Sequence, residues 1–300
     1  MARWIAIGMQ KGGVGKTTLT TNLAAAMAGG LGLNVLVLDF DGQRNATLGL
    51  LGQRPDGGTT IESVLRETVP LPQAAVPTEF TSQGQLHVVP GTRGLTAWER
   101  EIRDWNSTML RFREVLRNGF PSPSPSPSPS LSASPNHSDG DYDIVLIDTP
   151  PAGGLWLQAA LTAADGYIIV TQCERYGAEG VQLIQETARR IRHDARLNPD
   201  LVLDGFVVNG LKSRRANPRT FLAAYRAAFA ESFLEPPIPD LSGISDAATT
   251  GVPVEFAARW SKEAKVFRQL ADALNDRLTL GGVNTVDLVP ADNSQETADG

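Results

Sequence analysis

A glycine-rich turn, Gly12-Gly13-Val14-Gly15, lies between an apolar run at Arg3–Gly8 and a helical pattern over residues 17–28 that puts Leu19, Leu23, Ala26 and Met27 on one side. Strand, glycine turn and helix in that order form a cradle for phosphate. Glycines let backbone N–H groups converge on an anion, and the helix N-terminus adds partial positive charge. Lys16 is placed to reach the β- and γ-phosphates of a nucleotide, and the Thr17 hydroxyl to ligate Mg²⁺. Gly12, Gly13, Val14, Gly15 and Thr18 complete the candidate nucleotide contacts. The common pattern G-x-x-x-x-G-K-[ST] is not met, because Gln10 stands at its first glycine. What stands here is Lys11-Gly12-Gly13-Val14-Gly15-Lys16-Thr17-Thr18, with a second lysine five positions before Lys16. The plain alternative is a glycine turn carrying two exposed lysines.

That octapeptide resembles the deviant phosphate loop of the ParA/MinD family of dimeric ATPases. In that family the first lysine reaches across a nucleotide-sandwich homodimer to the ATP held by the partner subunit. The resemblance therefore gives Lys11 a role in trans and Lys16 a role on its own nucleotide. It also implies ATP and Mg²⁺ as cofactors and slow, partner-stimulated hydrolysis to ADP and phosphate. The physical sense is good: ATP carries about four negative charges, only half offset by one Mg²⁺, and uncompensated buried charge is costly.

The rest of the chain sets limits. Three hundred residues with 41% hydrophobic content suit a sizeable α/β core. A net charge of −6 means that any contact with nucleic acid must come from a local patch. A lone cysteine, Cys173, excludes an intramolecular disulfide, suits a reducing cytoplasm and reads as a small core residue. His87, His137 and His193 have no metal-ligand spacing. No apolar run approaches the ~18 residues of a membrane span, and the chain enters a strand at once, without a signal peptide.

Strand-like runs recur at residues 4–8, 35–40, 86–90, 144–149, 167–171 and 203–209, with helical stretches between them. Several are apolar throughout, as strands covered on both faces are. The expected fold is an α/β P-loop NTPase, a mostly parallel twisted sheet flanked by helices on both faces. One ATPase domain is expected over residues 1–280. It is interrupted at about residues 121–140, where five Pro-Ser repeats lead into a polar stretch. This is read as a disordered or polyproline-like insertion, a modified or partner-binding linker being the alternative. Residues 281–300 carry four acids and no Lys or Arg, and read as a disordered tail. MinD-like members end in a basic amphipathic helix that binds membrane, and residues 283–300 have neither its charge nor its pattern. The helix-turn-helix region that some plasmid members carry before the loop is also lacking. The resemblance is thus to the short, single-domain ParA type, with no membrane partner, over about residues 2–278 outside the insertion.

Three further motifs carry chemistry. "VLVLDFDGQRNATLGL" puts Asp39 and Asp41 at the carboxyl end of a strand, where open α/β sheets bind ligands. It resembles the family pattern D-x-D-P-Q-G-N, with Gly42 for the proline and Arg44 for the glycine, so the loop's conformation is open. By resemblance Asp41 orients the attacking water and Asp39 supports the Mg²⁺ shell, with Asn45 a further loop candidate. A carboxylate suits the first task because it accepts a hydrogen bond from water near the γ-phosphate. "YDIVLIDTPPAGG" delivers Asp148 from an apolar strand toward Mg²⁺. Its Thr149-Pro150-Pro151-Ala152-Gly153-Gly154 turn is by resemblance the switch that feels the γ-phosphate. In "GFVVNGLKSRR", Asn209 ends a strand, where its amide can pair with the adenine edge. The matching later loop contributes Pro239 and Asp240. The plain reading of each is a turn or strand-end residue.

Charge is uneven. Residues 189–226 hold nine Lys or Arg against three Asp, a local balance of +6 that leaves −12 for the rest. A helix over 178–195 is expected to bury Val181, Ile184, Ala188 and Ile191 and to turn Arg189, Arg190 and Arg192 outward. A second cluster is Arg259, Lys262, Lys265 and Arg268. A solvated basic face is the usual meaning of such runs. ParA proteins bind DNA without sequence preference through basic residues in this half of the chain, so the resemblance points to Arg189, Arg190, Arg214, Arg215, Arg219 and Arg259. It implies a nucleoid-associated ATPase that positions a plasmid or chromosome origin through a ParB-like adaptor. The alternatives are the same mechanism acting on a protein body such as a carboxysome, or a biosynthetic or regulatory relative on this scaffold.

Overall fold

The structure is a computed structural model, and it describes residues 2–54, 58–80, 83–119, 142–174, 177–211 and 216–279. The expected Pro-Ser insertion and acidic tail lie outside these residues, as do Arg214 and Arg215.

Seven strands form one sheet: β1 (Arg3–Gly8), β2 (Val35–Asp39), β3 (Val76–Pro77), β4 (Leu86–Val89), β5 (Ile144–Asp148), β6 (Gly166–Thr171) and β7 (Val202–Val208), in the order β3-β4-β2-β5-β1-β6-β7. All pair in parallel except β3, which runs antiparallel to β4. The six expected strands are present to within a residue or so at each end. The short β3 was not expected; two residues ending in Pro77 carry no alternation, and β4 imposes their extended form. Past β7 the segment around residues 232–239 lies along the free edge, with Phe206 N donating to Ser232 O and Ile238 N donating to Val208 O.

Side chains alternate across the sheet into two cores. One holds Trp4, Ala6, Leu38, Val145, Ile147 and Ile169. It is covered by α3 (Ile61–Leu65), α4 (Leu71–Ala74), α5 (Gly94–Glu101), α6 (Trp105–Asn118), α7 (Leu155–Ala163), α8 (Gly177–His193) and α9 (Ala216–Ala228). The other holds Ile5, Ile7, Val37, Leu146 and Val170. It is covered by α1 (Lys16–Leu31), α2 (Asn45–Leu51), α10 (Ser242–Thr250) and α11 (Ser261–Thr279). Apolar residues on both faces of each strand are why these runs lack an alternating pattern.

The expected first helix is present as α1, and its expected stripe of Leu19, Leu23, Ala26 and Met27 is buried in the second core. Beyond the expected stripe, α1 also buries Thr20, Thr21, Asn22, Ala24 and Ala25. The reason is α11, which packs against α1 in the same layer over the sheet. Small side chains there allow a close helix pair. The Asn22 amide is satisfied locally, donating to Thr18 O and accepting from Val254 N.

Phe267 of α11 is wholly buried in this second core. Phe267→Ala is expected to lower stability by about 3–5 kcal/mol, read as a shift in denaturant midpoint at unchanged m-value.

Candidate nucleotide and magnesium site

Parallel pairing brings the carboxyl ends of β1, β2 and β5 to one edge. Ile7 lies opposite Asp148, and Asp148 lies opposite Asp39. The loop 9–15 leaves β1 beside these carboxylates and runs into α1. Gly13 and Gly15 hold positive φ of 74° and 95°, conformations that favour glycine. A side chain at Gly15 would also strike Asn209 Nδ2.

Asp148 joins the loop helix to the sheet. Its carboxylate accepts from Thr17 Oγ1 at 2.7 Å and from Thr20 Oγ1 at 3.1 Å. Asp39 is also fully buried, and it accepts from Thr47 N, Thr47 Oγ1 and the Asp41 amide at 2.8, 2.6 and 3.1 Å. Burial pushes Asp148 up to about 8, the nearby Asp39 adding to the rise and Thr17 opposing it. Burial likewise lifts Asp39 to about 6, against the hydrogen bonds from Thr47 and Asp41. Stacked buried carboxylates of this kind are short of positive charge. Thr17 and Asp148 present the hard oxygen donors that suit Mg²⁺, so the residues fit the ion. A bound Mg²⁺ would supply neutralisation of phosphate charge here.

Lys16 is buried, and its Nζ donates to Lys11 O at 3.2 Å. Burial pulls its pKa below the ordinary value, while Asp148 and Asp41 pull the other way. Lys11 faces elsewhere: its Nζ pairs with Glu174 Oε2 at 2.9 Å, beyond β6. Asp41 is buried close to Lys16 and Asp148, with Oδ1 accepting from Gln43 N. Arg44 holds φ 58°, left-handed, at the position where the family pattern has glycine. The loop therefore keeps the glycine-like turn despite the substitution, at a cost of about 1–2 kcal/mol.

Asn209 reaches the same loop, its Nδ2 donating to Val14 O at 2.7 Å. The amide nitrogen expected to read a base is engaged by the loop itself. Leu211 bridges Pro239 and accepts from the Asp240 amide, so residues 238–240 do lie beside the Asn209 segment. Val14 is buried, while Gly12 and Gly13 are open to solvent.

The basic residues divide. Arg189 and Arg190 are exposed on α8 and Arg219 is exposed on α9, both helices of the first layer. Arg259 is exposed over the Trp260 ring at 4.2 Å, in the other layer. Arg192 does not point outward as expected: it is half-buried, with Nε buried and no hydrogen-bond partner. Cys173 is half-buried at the rim of the first core rather than inside it. The sequence assigns no role to Thr20, Thr47, Glu174 or Gln10, the last noted only as a departure from the common loop pattern. Of these, only the Thr47 position, eight residues after Asp39 on the following helix, offered a local signal.

Comparison with known proteins agrees with this geometry. A protein-family model described as an AAA domain matches residues 2–203. The chain is 33% identical over 252 residues to the chromosome partitioning protein ParA of Caulobacter vibrioides, covering 84% of this chain and 86% of that protein. It is 31% identical to the sporulation initiation inhibitor protein Soj of Bacillus subtilis, over 90% of this chain and 97% of that one. The chain belongs to the ParA/MinD family of ATPases. It is an ATP hydrolase, with ATP and Mg²⁺ as its cofactors. Among solved structures, cobyrinic acid a,c-diamide synthase from Mycobacterium smegmatis with bound ADP and magnesium superimposes with a TM-score of 0.72 at 27% identity, covering 94% of this chain and 97% of that one. McdA of Cyanothece shares the fold, with a TM-score of 0.72 at 18% identity over 91% of this chain and all of that one. No helix among the described residues is long and apolar enough to cross a membrane.

Asp148→Asn is expected to remove most of the gain in nucleotide affinity that Mg²⁺ confers, while affinity measured in EDTA changes little. Titration calorimetry with and without Mg²⁺ checks this.

Proposed function

We propose that the chain is a partition ATPase of the ParA type. In this reading ATP bridges two copies, and the dimer binds nucleoid DNA without sequence preference in the cytoplasm. A ParB-like adaptor links it to a plasmid or chromosome origin. The observation that carries the reading is the divergence of the two loop lysines. Lys16 is buried toward Asp41 and Asp148, whereas Lys11 turns out to a partly exposed partner, Glu174. An exposed pair of this kind is worth only ~0.2–1 kcal/mol. It can be exchanged readily for the phosphates of a second subunit's nucleotide.

Within the proposal Thr17 and Asp148 hold Mg²⁺, and Asp39 fixes the turn that presents Asp41. Asp41, close to Lys16 and Asp148, orients water. Asn209 steadies the loop beneath the nucleotide, with Pro239 and Asp240 beside the base. Arg189, Arg190 and Arg219 share one layer and form the first DNA surface, with Arg259 a separate contact. Arg214 and Arg215 join the first group on sequence alone. A protein body in place of an origin would change the adaptor and leave this mechanism intact; stimulation of turnover by candidate adaptors separates the two.

Lys16→Ala is expected to abolish ATP binding, and Lys11→Ala to bind ATP but fail to dimerise and turn over. Equal loss of nucleotide affinity in both variants would make Lys11 a second contact in cis and sink the sandwich. Asp41→Ala is expected to bind ATP, dimerise and stall, because a water-orienting group acts on the hydrolytic step more than on ground-state binding. Sizing chromatography with ATP should show a persistent dimer; a monomer, or turnover at the normal rate, refutes the assignment. DNA binding by the unaltered protein should require ATP, ignore sequence and weaken steeply with salt. Arg219→Glu should weaken binding to every duplex alike with dimerisation preserved, and each lost phosphate contact should reduce the log–log salt slope by about 0.9. Equal binding without nucleotide, or none at low salt, removes the nucleoid from the proposal.

A further inference from the structure

The residue before Lys11 makes contacts that phosphate binding does not call for. Gln10 Nε2 donates to Leu183 O at 3.0 Å and to Thr187 Oγ1 at 2.8 Å, both on α8. Thr187 Oγ1 in turn donates to Leu183 O at 2.9 Å, so the three groups close a small triangle on the helix. The other side of the Gln10 amide faces the switch turn, where a Cβ built on Gly153 would stand 2.3 Å from Gln10 Oε1. Adjacent residues extend the junction. A Cβ on Gly180 would meet Met9 Cε at 2.6 Å and Lys11 Cβ at 3.6 Å, and one on Gly8 would meet Ile184 Cδ1 at 2.6 Å. The start of the phosphate loop is therefore pressed along α8 from Gly180 to Thr187, without room for slippage.

We infer that Gln10 is a positioning residue that couples the phosphate loop and the switch turn to α8, so that nucleotide binding is felt at the helix end carrying Arg189 and Arg190. The amide suits the task. Its nitrogen offers donors to two acceptors on one helical turn, while its oxygen meets a turn residue too small to push it away. Packed backbones shift as units rather than deforming smoothly. A displacement of the loop or of Gly153 is thus passed to α8 through a hydrogen-bonded contact, not through solvent. Lys11 adds a second link, because Glu174 lies three residues before α8 begins. That link is lost if Lys11 moves to another phosphate, whereas the Gln10 link stays. The use of α8 to control DNA affinity rests on the function proposed above; the mechanical link itself does not.

The test is hydrogen–deuterium exchange of the full-length protein, with and without a non-hydrolysable ATP analogue and Mg²⁺. Compared are the unaltered chain, Gln10→Glu and Thr187→Val. Gln10→Glu keeps the shape of the side chain but puts an acceptor against the Leu183 carbonyl; Thr187→Val removes one acceptor from the helix. In the unaltered protein the nucleotide should change exchange in residues 186–193 about 5-fold or more, the lower range of ordinary coupling. In Gln10→Glu that response should vanish, and in Thr187→Val it should weaken, while protection of residues 12–18 by the nucleotide persists in both. Should Gln10→Glu not fold, Thr187→Val alone decides. An α8 response equal to that of the unaltered chain in the variants overturns the inference. So does an α8 that never responds, or loss of protection in the loop itself, which would make Gln10 part of nucleotide binding. Salt-dependent duplex binding, measured separately, reports on the proposed function, so a chain that ignores DNA can still show or refute the link.

Discussion

Everything at the site depends on one buried carboxylate. Asp148 stands at the end of a central strand and receives hydroxyls from the first turn of α1, from Thr17 and Thr20. That joint fixes the start of the helix relative to the sheet, and with it the path of the glycine loop between them. Burial and the neighbouring Asp39 favour the neutral acid, while the Thr17 hydroxyl and the Lys16 charge favour the carboxylate. A cation bound beside it would favour the charged form further.

Much of the fold could be read from residues alone, and the reason is specific. Strands covered on both faces, such as Ile144–Asp148, are apolar throughout, and such runs end abruptly at the charged residues that face the ligand. The carboxylates were therefore found together with the strands that carry them. The partners of those groups were not. Lys11 meets Glu174 and Gln10 meets Thr187 across more than 160 residues of chain, and no local pattern encodes such a meeting. Thr47, eight residues after Asp39, is the nearer case, and the turn after β2 brings its hydroxyl back to that carboxylate. The first helix is buried beyond its apolar stripe because α11, from the other end of the chain, packs against it, a contact no local pattern encodes.

Arg44 shows how a motif can be kept in conformation while changed in letter. The turn between Asp41 and α2 requires a left-handed residue, and the backbone adopts that state although no glycine is present. The hydrogen bonds flanking it, from the Arg44 amide to Asp41 O and from the Leu48 amide to Arg44 O, outweigh the local strain. Geometry at this site is held by the strands and the helix on either side, not by the identity of each loop residue.

Both margins of the sheet are occupied. The two-residue β3 lies antiparallel along β4, and the backbone near residues 232–239 runs beside β7. Open margins are where β proteins fuse into ribbons and fibrils. Partial cover at both margins restricts growth through main-chain pairing among the described residues. In the proposed cycle of assembly and dispersal, a sheet that is hard to extend is a safeguard against becoming permanent.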